Sequence, residues 1–79
     1  MEAPQEHPIV ARAKRYDPNG YVNTQELAER TLTGPSSWAK RRMAGTGPAF
    51  IKIGRSVRYR WGDVITWLED QLRSSTSEY

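Results

Sequence analysis

The sequence predicts a mainly α-helical domain that carries one small β-hairpin, and three observations predict it. Asn23 stands three residues before Glu26 at the head of a short apolar-periodic stretch, the reciprocal capping pattern that starts a helix. Thr33-Gly34-Pro35 then breaks that helix and supplies a proline suited to the first turn of another, where a missing N–H costs nothing. Phe50-Ile51-Lys52-Ile53 and Val57-Arg58-Tyr59-Arg60 flank Gly54-Arg55-Ser56, two strand-like runs around a turn.

Taken in order, residues 1–20 lack periodicity, carry Pro4, Pro8 and Pro18, and close on the turn signal Asp17-Pro18-Asn19-Gly20. They are expected to form a flexible arm, whose bases Arg12, Lys14 and Arg15 could follow a nucleic-acid groove. The ordered domain is expected over residues 21–73. Its first helix covers Thr24 to Thr31 and buries Leu27, Ala28 and the Thr31 methyl, with Val22 and Leu27 at the staple positions.

The second helix covers Pro35 to Ala44 and ends at Gly45, a residue able to take the left-handed conformation of a C-terminal cap. Helical spacing places Pro35, Trp38, Ala39, Arg42 and Met43 on a packing side, and Ser36, Ser37, Lys40 and Arg41 on a polar, cationic one. In the hairpin, a three-residue loop pairs Ile53 with Val57 and Ile51 with Tyr59, so that all four share a face. Lys52 and Arg58 then oppose one another on the outer face, a like-charge pair that an anion would relieve.

The last helix starts near Gly62-Asp63 and presents Val64, Trp67, Leu68 and Leu72 as an apolar stripe that closes the core. Residues 74–79 have nothing to bury and are expected to be a disordered tail.

A chain of 79 residues with eight aromatic side chains has room for one domain, and its aromatics are the expected anchors of a core with few layers. It contains no cysteine, which excludes disulfides, thiolate metal sites and a thiol nucleophile. No apolar run approaches the length of a membrane span, and the first residues lack a basic stretch followed by an apolar one; the expected location is the cytoplasm. His7 is the single histidine and lies in the expected arm. Neither a catalytic dyad nor a histidine metal cluster follows from it, so no enzyme activity and no cofactor are expected.

The net charge of +3 is unevenly placed: Gly34 to Arg60 holds Lys40, Arg41, Arg42, Lys52, Arg55, Arg58 and Arg60 without one acid. Concentrated positive charge of this kind is what a polyanion-binding face requires. The exposed side of the second helix suits the major groove of duplex DNA, where Lys and Arg bond guanine edges and serine bonds bases or phosphate. Arg55 at the hairpin tip suits the adjacent minor groove or its phosphates. The expected DNA-contacting residues are Ser36, Ser37, Lys40, Arg41, Lys52, Arg55, Arg58 and Arg60, in a winged helix-turn-helix.

Tyr-Val-Asn-Thr-Gln-Glu-Leu-Ala-Glu from Tyr21, Gly-Pro-Ala-Phe-Ile-Lys-Ile-Gly-Arg-Ser-Val-Arg-Tyr-Arg from Gly47, then Asp63-Val64 and Trp67-Leu68 resemble the excisionase and AlpA-like group of MerR-type winged helix-turn-helix domains. The resemblance covers residues 21–72. It implies a recognition helix in the major groove and a two-stranded wing at the minor groove, and Lys40, Arg41 and Arg55 match those contact positions. The second helix departs from the family, which often has Leu followed three residues later by Trp where this chain has Trp38 followed by Arg41.

The function so implied is that of an excisionase, which binds cooperatively, bends attachment-site DNA and helps an integrase excise an element. The alternative is an AlpA-like transcriptional regulator of a phage or mobile element. Expected partners are double-stranded DNA, an integrase and further copies of the chain in head-to-tail array, with no membrane. A rival reading is a protein-interaction module whose basic face meets an acidic partner.

Overall fold

The computed structural model describes residues 7–76, the side chains of residues 74–76 excepted. The elements are α1 (Pro8–Ala13), β1 (Tyr21–Val22), α2 (Thr24–Thr31), α3 (Pro35–Ala44), β2 (Ile51–Ile53), β3 (Ser56–Arg60) and α4 (Trp61–Thr76). Together they make a small, mainly helical domain of four helices and a three-stranded antiparallel sheet of order β1-β3-β2.

The expected start of α2 is present atom for atom. The Asn23 side chain accepts the Glu26 N–H at 2.7 Å, and the Glu26 carboxylate accepts the Asn23 N–H at 3.0 Å. Val22 and Leu27, at the staple positions, are both buried. Leu32 ends α2 in the left-handed region (φ 57°), a conformation that costs a leucine free energy and turns the chain sharply toward α3. In α3, Pro35 occupies the first turn and Gly45 caps the C-terminus at φ 73°, donating its N–H toward the Arg41 and Arg42 carbonyls.

Residues 7–20 depart from the expected flexible arm, because Pro8–Ala13 is a helix whose Val10 and Ala13 are buried. The His7 Nδ1 accepts the Ile9 N–H at 3.1 Å and caps it. Trp61, fully buried, donates its indole N–H to the Ala13 carbonyl at 2.7 Å. Arg30 lies over the Tyr16 ring at 4.0 Å and the Trp61 ring at 4.9 Å. A helix of this length is marginal alone; tertiary contacts across 48 residues of sequence hold it. Met1 to Glu6 of the expected arm lie outside the described residues.

The C-terminus departs from expectation too, since α4 runs on to Thr76 where the tail was expected from Ser74. The rest of that tail, residues 77–79, lies outside the described residues.

The core joins Ala13, Val22, Leu27, Ala28, Trp38, Tyr59, Trp61 and Val64, with Tyr16, Val57, Ile65, Trp67 and Leu68 packed at its margin. Every helix contributes to it, as do β1 through Val22 and β3 through Tyr59.

The hairpin register differs from expectation by one residue. Ile51 pairs with Arg58, Lys52 with Val57 and Ile53 with Ser56, leaving a loop of Gly54 and Arg55. Gly54 has φ 62° and Arg55 is not among the positive-φ residues, the pattern of a two-residue type II′ turn whose twist matches the strands. The shift puts Phe50 on the Tyr59 side of the hairpin, its ring 6.1 Å from that of Tyr59 though 41% exposed, and leaves Ile51 and Ile53 exposed as well. Lys52 and Arg58 are consequently on opposite faces, and no like-charge pair calls for an anion.

Candidate nucleic-acid interface

The exposed cationic surface starts with the anchoring of α3. Trp38 is its buried residue. The indole donates to Thr31 Oγ1 at 3.2 Å, and that hydroxyl donates onward to the Leu27 carbonyl at 2.7 Å. The Trp38 ring meets Trp67 of α4 edge-on at 5.4 Å. With Trp38 fixed against α2 and α4, helical geometry turns Ser36, Ser37 and Lys40 outward, and all three are exposed.

Arg42, on the packing side as expected, bridges α3 to its neighbours. Its guanidinium donates to the Tyr59 hydroxyl at 2.9 Å and to Thr24 Oγ1 at 3.3 Å, and lies 5.9 Å from the centre of the Phe50 ring. A charged hydrogen bond of this kind fixes the hairpin relative to α3. Met43 was expected beside Trp38 but is 86% exposed. It lies three residues beyond Lys40 and seven beyond Ser36, the spacing of a single helical stripe.

The eight residues singled out in the sequence divide by what they touch. Ser36, Ser37, Lys40, Lys52 and Arg55 are exposed, and the three cations among them form no ion pair with a described residue. Arg41 is exposed but lays its guanidinium 5.3 Å from the centre of the Trp67 ring. Arg58 is half-buried and donates to the Val57 carbonyl at 3.0 Å. Arg60 pairs with Asp63 at 3.3 Å and donates to Asn19 Oδ1 at the same distance. Three cations are thus without an ion-pair partner among the described residues, two on the hairpin and one on α3, while Arg41, Arg58 and Arg60 each have a protein partner.

Of the bases expected in the arm, Arg12 donates from Nε to the Arg30 carbonyl at 2.9 Å and Lys14 pairs with Glu69 at 3.2 Å. These two tie α1 and the residue after it to α2 and α4, whereas Arg15, the third, is exposed.

Among the described residues no group of three or more His, Cys, Asp or Glu could hold a metal ion, and no helix is long and apolar enough to cross a membrane. What the surface offers is positive charge, hydroxyl groups and one exposed thioether. Of these, the cations and hydroxyl groups are the ones chemically able to donate to an anion.

Comparison of the chain with known protein-family models, with curated proteins and with solved structures finds no match.

Proposed function

We propose that the protein is a sequence-directed DNA-binding domain of the winged helix-turn-helix type, with α3 as its recognition helix and the β2–β3 hairpin as its wing. The observation that carries this reading is that Lys40, Lys52 and Arg55 are exposed, without ion-pair partners among the described residues, on two separate elements of an acid-free segment. An anion with regularly spaced charges satisfies both elements at once, and duplex DNA supplies one charge per about 1.7 Å of axis. In this arrangement Ser36, Ser37 and Lys40 meet base edges, and Lys52 and Arg55 meet phosphates flanking the groove.

Within that function we favour the architectural use over simple promoter regulation. One small module covers a short site, so specific affinity calls for neighbouring copies; bending the DNA costs on the order of 1 to 6 kcal/mol, which phosphate contacts from successive copies offset. The resemblance of residues 21–72 is to the excisionase and AlpA-like group together and accommodates both uses.

The test is fluorescence anisotropy on random and selected duplexes over a salt titration, followed by footprinting and circular-permutation gels on a selected site. The reading expects affinity to fall steeply with salt, footprints that extend in steps with concentration, and bent DNA. Affinity unchanged between 50 and 200 mM salt, the range over which several phosphate contacts lose orders of magnitude, overturns DNA binding. A single footprint on unbent DNA retains DNA binding and assigns the AlpA-like regulatory use instead.

A further inference from the structure

We infer that Met43 is a base-reading residue, and that it reads the 5-methyl group of a thymine beside the guanine bonded by Lys40. The inference rests on the DNA-binding reading and adds to it an apolar specificity contact.

Met43 is the most exposed of the large apolar side chains described, at 86%. It has α3 neighbours that are polar or small: Ser36 and Lys40 on its own stripe, and Ala44 beside it. The core-facing position that sequence periodicity offered it is filled by Trp38 and by the Arg42 bridge to Tyr59 and Thr24. Nothing in the domain's own packing therefore uses the methionine.

The stripe has the right reach. From Ser36 to Met43 the axial rise is about 10 Å, at about 1.5 Å per residue, and the major groove is about 12 Å wide. An α3 that brings Ser36 and Lys40 to base edges carries Met43 into the same groove. There the apolar group on offer is the thymine methyl, since the other base edges present donors and acceptors. An unbranched, polarizable thioether adapts to such a small target. Lys40 and Met43 are separated by about 4.5 Å of rise, which is little more than the base step of about 3.4 Å. The thymine consequently lies one or two base pairs from the guanine.

The experiment uses the full chain and a duplex selected by the wild-type protein from a random library. Each thymine is replaced in turn by deoxyuridine, which removes the methyl and nothing else, and binding is measured for wild type, Met43→Ala and Lys40→Ala. Burying one methyl is worth roughly a fourfold change in affinity. The expected result is one thymine whose replacement weakens the wild type about fourfold and leaves Met43→Ala unaffected, within two base pairs of a guanine on which Lys40→Ala loses discrimination.

An equal uracil penalty in wild type and Met43→Ala, or no penalty at any thymine, overturns the role of Met43 while leaving DNA binding intact. Failure of the wild type to bind any duplex overturns both. Alanine is the best helix former and the site is exposed, so Met43→Ala keeps its fold; an unchanged thermal melt verifies this.

Discussion

The buried indole of Trp61 donates its N–H to the Ala13 carbonyl at 2.7 Å, joining the first turn of α4 to the last residue of α1. The same ring meets Tyr16 edge-on at 5.7 Å and receives Arg30 on its face. Trp61→Phe keeps an aromatic ring but removes the indole bond, leaving the Ala13 carbonyl with only the longer bond from the Tyr16 N–H at 3.3 Å, and opens a void. The expected loss is about 2 kcal/mol, from the lost hydrogen bond and the cavity. Urea unfolding checks it, and a midpoint equal to wild type would show that α1 is not fastened through this bond.

At the other end of the core, the capping box of α2 makes a smaller and separable contribution. Asn23→Ala removes the acceptor of the Glu26 N–H and is expected to cost about 1 kcal/mol. Glu26→Ala removes the reciprocal bond, and because both belong to one motif the double variant should lose less than the sum of the two. Additive losses in a denaturant double-mutant cycle would show that the two bonds act independently.

How much of this was legible in the sequence depended on whether a signal was local. The Asn23–Glu26 box, the Pro35 start and the Gly45 cap are chemistry within a few residues, and the bounds of α2 and α3 followed from them. The hairpin register did not. Apolar alternation at Ile51, Ile53, Val57 and Tyr59 suggested one pairing, but Phe50 lies just outside the strand and competes for the Tyr59 side of the hairpin. Helix α1 was invisible for the same reason, because its partners Trp61 and Arg30 are distant in the chain and its own prolines read as loop. In the candidate site, charge marked a cationic segment but could not separate Lys40, Lys52 and Arg55 from Arg41, Arg58 and Arg60, whose partners are Trp67, the Val57 carbonyl and Asp63.

That separation sets the expected salt dependence. Lys52→Ala and Arg55→Ala should each lower the slope of log affinity against log salt by about 1, the signature of one lost phosphate contact, while weakening all sequences alike. Arg60→Ala should change the slope less, because Asp63 already neutralises that charge; its effect should be on hairpin attachment through Asn19. Equal slope changes for all three variants, in anisotropy titrations on random duplex, would mean that Arg60 leaves Asp63 for the DNA.

The sharpest contrast lies between two neighbours on α3. Lys40 and Arg41 were expected to read bases together, yet Lys40 makes no ion pair with a described residue while Arg41 lies 5.3 Å from the Trp67 ring centre. Cation–π contacts at exposed sites are worth about 0.5 to 1 kcal/mol, so Arg41 must give up that contact before it bonds a guanine. Lys40→Ala should therefore cost about 1 to 3 kcal/mol on the selected site and relax specificity at one base pair, with an unchanged thermal melt. Arg41→Ala should lower stability by about 0.5 to 1 kcal/mol through the lost Trp67 contact and weaken selected and random duplexes to a similar extent. Trp67→Leu frees the guanidinium without removing it; because it also removes the edge contact with Trp38 and the indole bond to the Thr46 carbonyl, its binding is compared below its own measured melting temperature. If Arg41 is withheld from DNA by the ring, Trp67→Leu tightens binding in a manner that Arg41→Ala abolishes. Should Arg41→Ala instead relax specificity in the wild-type background, the arginine reads a base in spite of its ring contact, and the recognition surface of α3 is one residue wider than its ion-pair pattern indicates.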